Sequence, residues 1–87
     1  MLLNTIKVSN YYLVGLCLWN NDYLFVGCGD KTLKLIDLQK GKTIKKYNGY
    51  NNSVITIKKI IIPKYGECLI TQEFEKNSIK LWVNNIL

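Results

Sequence analysis

Gly27-Cys28-Gly29-Asp30-Lys31-Thr32-Leu33-Lys34-Leu35-Ile36-Asp37 is the stretch that decides how this chain folds. A glycine-bearing turn leads into an alternating run in which Leu33, Leu35 and Asp37 share one face of a strand. The run returns as Ile79-Lys80-Leu81-Trp82, with Lys80 lying 46 positions after Lys34. Ahead of each copy, Tyr23-Leu24-Phe25-Val26 resembles Glu67-Cys68-Leu69-Ile70, 44 positions on, and Val14 aligns with Val54, 40 positions on. The shift grows because the second unit has longer connections, chiefly around Ile60-Ile61-Ile62-Pro63.

Turn signals cut the rest of the chain into short pieces: Ser9-Asn10, Asn20-Asn21-Asp22, Gln39-Lys40-Gly41-Lys42, Asn48-Gly49, Asn51-Asn52, Pro63-Lys64-Tyr65-Gly66 and Lys76-Asn77. Between them lie runs of Ile, Leu, Val, Tyr and Phe that are strand-length. They predict eight strands, at 2–8, 12–19, 23–28, 33–38, 43–47, 53–62, 67–73 and 78–83. Tyr23-Leu24-Phe25-Val26 is apolar on both faces, as expected of a strand covered on both sides. No capped stripe of helical period is present. Four strands repeated at about 40–45 residues is the signature of a propeller blade.

The 87 residues allow one small domain or part of a larger one, with a thin core. With 48% apolar and 21% charged residues, one Pro and six Gly, neither a disordered tail nor a collagen-like segment is expected. The longest apolar stretch, Tyr11 to Trp19, has nine residues, against about 20 for a membrane span, so no transmembrane segment is expected. The N-terminus lacks the basic lead and long apolar run of a signal peptide. The net charge of +6 comes from twelve Lys against three Asp and three Glu, with no Arg and no His. A basic excess suits nucleic acid or anionic lipid, but the lack of Arg, the usual bidentate reader of guanine and phosphate, counts against nucleic acid. Lys, Asn, Ile and Tyr together make 39 of 87 residues. All four have A/T-rich codons, which accounts for the lysines without any ligand.

Cys17, Cys28 and Cys68 are spaced 11 and 40 apart, with no C-x-x-C and no Cys/His cluster, so no zinc site is read. Each sits in an apolar run as a small buried hydrophobe. Such usage suits a reducing compartment, the cytoplasm first and the nucleus second. Without His, no Ser-His or Cys-His pair can be built. No P-loop or nucleophile elbow occurs, and Gly27-Cys28-Gly29-Asp30 opens no helix that could cradle a phosphate. Neither an enzyme nor a cofactor is expected.

Lys76-Asn77-Ser78-Ile79-Lys80-Leu81-Trp82 resembles the ending D-x-x-I-K-L-W-D of the tryptophan–aspartate (WD) repeat family of β-propellers. Gly27 to Asp37 is similar to the same element, with Ile36 in the place of Trp. Asn48-Gly49-Tyr50 before Ser53-Val54 is similar to its inter-blade junction, with Tyr50 for His. The resemblance covers about residues 9–83. It implies an all-β partial propeller of two four-stranded antiparallel blades: a first blade over 12–47 and an incomplete second over 53–83 that lacks its own outer strand. Residues 2–8 would be the outer strand of an adjoining blade. Two blades cannot close a ring, so the resemblance implies further blades from a longer chain or from identical copies.

Many blades of the family carry a buried hydrogen-bonded set of His, Ser or Thr, Asp and Trp. The structural positions implied here are Asp30, Ile36, Asp37, Gly49, Tyr50, Thr71 and Trp82. The set is incomplete in both units. The first keeps Asp30 but has Ser9 or Asn10, Gly27 and Ile36 elsewhere. The second keeps Trp82 and Thr71, has Tyr50 for His, and has Glu75 or Lys76 near the Asp position. On its own chemistry Asp30 reads as a turn residue bonding nearby backbone amides, and Trp82 as core or inter-blade packing.

Such propellers usually act as non-enzymatic platforms, so the expected role is a protein–protein interaction scaffold with other proteins as partners. Tyr11, Tyr12, Trp19 and Lys31 are the candidate contacts, since aromatics make good anchors. The alternative is Lys-mediated binding of nucleic acid or an anionic membrane surface. Lys45-Lys46 read instead as protection of an outer edge strand. One of Lys58-Lys59 is expected to point toward a loop or a bulge.

Overall fold

A computed structural model describes residues 1–87. The chain is all-β and contains no helix. Its strands are β1 (Leu13–Leu18), β2 (Tyr23–Cys28), β3 (Leu33–Asp37), β4 (Lys42–Tyr47), β5 (Val54–Ile62), β6 (Gly66–Glu73) and β7 (Lys80–Trp82). They form two antiparallel sheets, one of four strands in the order β1-β2-β3-β4 and one of three in the order β5-β6-β7. Neither sheet closes into a barrel.

The turns use the chemistry their residues offer. Asn20 Oδ1 accepts from the amides of Asp22 and Tyr23 at 2.8 and 3.1 Å, which turns β1 into β2. Asp37 Oδ1 accepts from Gln39 N and Lys40 N, both at 2.9 Å, and Gly41 at φ +67° completes the step to β4. Gly66 at φ +77° starts β6 in the left-handed region that side chains avoid.

The two sheets pack face to face. Phe25, Leu33 and Leu35 of the first meet Val54 and Leu69 of the second, with Trp19, Tyr50 and Ile86 filling the ends of the layer. Five aromatic rings run through it in sequence: Trp19 to Phe25 at 5.6 Å, Phe25 to Tyr47 at 6.0 Å, Tyr47 to Trp82 at 6.1 Å and Trp82 to Tyr50 at 6.2 Å. Each such pair adds about 0.5–1.5 kcal/mol to the area it buries. The sheets come closest at Gly27, where a Cβ would stand 2.0 Å from the carbonyl oxygen of Val54. Only a residue without a side chain fits there.

On the far face of the first sheet, Val26, Cys28 and Ile36 form a second cluster, flanked by Leu24 and Leu38 and covered by Ile6 and Val8. All five residues of β3 are therefore buried, Lys34 and Asp37 included, although its sequence reads as an alternating strand; the two-sided apolar run Tyr23–Val26 of β2 is buried at Phe25 and Val26 and half-buried at Tyr23 and Leu24. Residues 2–8 depart from expectation: they form no strand. Their backbone pairs with no other segment of the chain. Burial of Ile6 and Val8 on the sheet face holds the segment instead.

Candidate functional site

Tyr50, Thr71 and Trp82 meet in the layer between the sheets. The Tyr50 and Thr71 hydroxyls share a hydrogen bond of 2.9 Å, and Trp82 Nε1 donates to the same Thr71 Oγ1 at 3.2 Å. One threonine hydroxyl thus satisfies the buried Tyr50 and the half-buried Trp82, in place of an orphaned indole N–H. Gly49, at φ +98°, makes the bend that delivers Tyr50. Burial pushes the Tyr50 phenol above its usual pKa, against the lowering effect of its hydrogen bonds. The second unit therefore holds Tyr50, Thr71 and Trp82 in one hydrogen-bonded set.

Glu75 and Lys76 take no part in this set. Glu73, on the same face of β6 as Leu69 and Thr71, holds the loop instead. Its Oε1 accepts from Asn51 N and Asn52 N at 2.5 and 3.0 Å. Its Oε2 lies 3.9 Å from Lys80 Nζ, which also stands 5.7 Å over the Tyr50 ring. Glu73 was not among the sequence candidates, although the alternation Leu69, Thr71, Glu73 places it on the inner face. The whole arrangement ties the loop before β5 to β6 and β7.

In the first unit Ile36 is buried beside Val26 and Cys28 and brings no polar group. Asp30 bonds side chains in addition to holding its turn: Thr32 Oγ1 donates to it at 2.5 Å and Lys34 Nζ at 2.6 Å. Lys34 Nζ also donates to Thr32 Oγ1 at 2.7 Å. Burial by itself raises the Asp30 carboxyl, but these bonds and the Lys34 charge outweigh it and hold its pKa below the usual carboxylate value. Asp37 serves its turn, as described above.

Of the candidate contacts, three stand together at one end of the first sheet. Tyr11 is 63% and Tyr12 82% exposed. Gly29 N donates to the Tyr12 carbonyl at 2.8 Å, which fixes the start of β1 to the turn that carries exposed Lys31. Trp19 does not belong with them. It is only 6% exposed, stacks edge-on to Phe25, and has Lys59 Nζ 4.7 Å over its ring. Lys59 also donates to the Trp19 carbonyl and pairs with Glu67 at 3.1 Å, so it is the lysine of its pair that turns toward the β1–β2 loop. The indole is a core residue because the inter-sheet layer needs a large ring at this end.

An open groove of about 620 Å³ lies beside Trp19, lined by Tyr65, Glu67 and the tail Asn84–Leu87. Tyr47 O–H donates to the Ile86 carbonyl at 2.5 Å and holds that tail on the first sheet. Burial raises the thiol pKa of Cys17 and Cys28, and all three cysteines are unpaired. No three His, Cys, Asp or Glu side chains gather as metal ligands would. No helix is long and apolar enough to cross a membrane. No protein-family model matches the chain, and no curated protein matches it.

Proposed function

We propose that this chain is a non-enzymatic protein-interaction module built as two adjoining WD-type blades. Four plus three antiparallel strands packed face to face, with a tyrosine–threonine–tryptophan set at the second junction, support the blade reading. The observation that carries the role is the exposed pair Tyr11–Tyr12, fastened by its backbone to the turn bearing Lys31. Exposed tyrosines are among the residues that carry contact hot spots. They stand on a sheet whose inner face is fixed by the aromatic layer, so little ordering cost is left for binding.

A photoreactive phenylalanine in place of Tyr12 tests this in the cell of origin. The expected product is a covalent adduct with a different protein, at a yield that survives 0.5 M salt (roughly a 4–5 Å screening length). Adducts with nucleic acid or lipid, lost steeply as salt rises, would overturn the reading in favour of the lysines. An absence of any heterologous protein adduct would also overturn it.

A further inference from the structure

Between β4 and β5 the chain passes through Asn48-Gly49, the only Asn-Gly pair in the sequence. Both residues are exposed, Gly49 sits at φ +98°, and nothing lies within 4 Å of the place its Cβ would take. Gly49 N donates to no acceptor, and the Asn48 side chain makes no hydrogen bond. The chain on either side is fixed. Tyr47 and Tyr50 pack against the same ring, Trp82, at 6.1 and 6.2 Å. Tyr47 O–H also donates to the Ile86 carbonyl, and Tyr50 O–H is bonded to Thr71. Asn48-Gly49 is thus a short strap between two anchored rings.

We infer that Asn48-Gly49 is a site of spontaneous covalent modification, at which Asn48 becomes an isoaspartyl residue and the strap grows by one backbone atom. The Gly49 amide nitrogen gives its proton to water and attacks Asn48 Cγ. The bond that forms is N–Cγ; the bond that breaks is Cγ–Nδ2, and ammonia leaves. Water then opens the cyclic imide. Opening at the main-chain carbonyl leaves the chain running through the former Asn48 side chain, whereas opening at Cγ leaves ordinary aspartate. One water is consumed and one ammonia released, with nothing oxidised or reduced. Glycine favours the step because it has no Cβ to hinder the attacking nitrogen and has the backbone freedom to close the ring.

Sequence and fold together direct the reaction to this one of ten asparagines. Every other asparagine precedes a residue with a side chain, whose Cβ hinders the attack. After Asn10, Asn21 and Asn51 the amide is in addition already donated, to Ser9 Oγ, Asn20 Oδ1 and Glu73 Oε1. Asn20 is itself held, its Oδ1 accepting from two amides of the β1–β2 turn. Ring closure at Asn48 gives up no hydrogen bond. The product carries one more negative charge and a longer strap, which lets Tyr50 draw back from Thr71. Loss of one such bond corresponds to a Tm drop of about 4–8 °C in a domain of this size. This inference is independent of the partner contact at Tyr12.

The test is incubation of the folded 87-residue chain at neutral pH, followed by peptide mapping and by labelling with a carboxyl methyltransferase specific for isoaspartyl groups. The peptide holding Asn48 is expected to gain the mass of an NH2-to-OH exchange and to accept a methyl group, at a rate on the order of that of a free peptide of the same sequence. Asn77-Ser78 lags behind. Asn48→Gln, whose longer side chain must close a larger ring, stays unmodified at this position and keeps its melting temperature through the incubation. The isoaspartyl form, separated by ion exchange, melts about 4–8 °C below the fresh protein. In a Tyr50→Phe background, where the bond to Thr71 is already absent, that difference shrinks. An Asn48 that stays intact in the folded chain while the free peptide converts, or conversion no faster there than at Asn77, overturns the site. An isoaspartyl form that melts with the fresh protein, or a drop undiminished by Tyr50→Phe, overturns the effect on Tyr50.

Discussion

Replacing Gly27 with alanine probes the sheet-to-sheet contact more directly than any other single change. Gly27 lies inside β2 at an ordinary negative φ, so alanine there costs nothing locally and reduces the freedom of the unfolded chain. Without a close neighbour the substitution would be neutral or slightly stabilising. The added Cβ, however, would lie 2.0 Å from Val54 O, 3.0 Å from Val54 C and 3.1 Å from Val54 Cβ. Ordinary contact begins at 3.4 Å, so the sheets must separate or β2 must bend by more than an ångström. A gap of only about 0.5–1 Å already forfeits a quarter to a half of the attraction between atoms in contact. Overpacking of this severity costs about 3 kcal/mol or more. The whole domain has about 4–13 kcal/mol at about 0.05–0.15 kcal/mol per residue. At about 4–8 °C per kcal/mol, Tm falls by at least about 12 °C. Thermal unfolding followed by near-ultraviolet circular dichroism reads this directly, since Trp19 and Trp82 belong to the disturbed layer. The clashing atom is a backbone oxygen, so Val54→Ala does not rescue the variant. A Gly27→Ala protein melting within about 4 °C of wild type, or one restored by Val54→Ala, would refute this packing.

Thr71→Val strands both the Tyr50 hydroxyl and Trp82 Nε1, and is expected to cost about 2–4 kcal/mol in chemical denaturation. Tyr50→Phe strands nothing, because Thr71 keeps its bond from Trp82, and should cost about 1 kcal/mol. Equal costs would refute the bridging role of Thr71. The depressed Asp30 carboxyl contributes stability that is complete above the ordinary carboxylate pKa and is lost as pH falls through its lower folded value. Acid titration of Asp30→Asn should therefore show a flatter stability profile below about pH 4. The raised phenol pKa of Tyr50 acts in the other sense: its contribution is present below the unfolded pKa and fades as pH rises through the folded one. Tyr50→Phe should then weaken the alkaline loss of stability above about pH 10. Lys31 sits at φ +67° with no side-chain bond to repay it. Lys31→Gly should raise stability by about 0.5–1 kcal/mol while weakening any partner held at Tyr12.

The sequence alone determined the seven paired strands and their turns. Period-two alternation and punctuation by Asn, Asp and Gly are local properties, and β2 came out as expected at Tyr23–Cys28. Local signals could not decide three things. Residues 2–8 have strand chemistry, yet a strand exists only where a neighbouring edge accepts its hydrogen bonds, and no segment of the chain pairs with them. Trp19 has the composition of an exposed anchor, yet a ring's burial depends on what packs against it, here Phe25 of the next strand and Lys59 from 40 positions on. Tyr50 and Glu73 became part of one hydrogen-bonded set because Tyr50 O–H reaches Thr71 and the Glu73 carboxylate reaches the amides of Asn51 and Asn52. Hydrogen bonding selects for donors and acceptors at the right distance, and only the packed sheets set that distance.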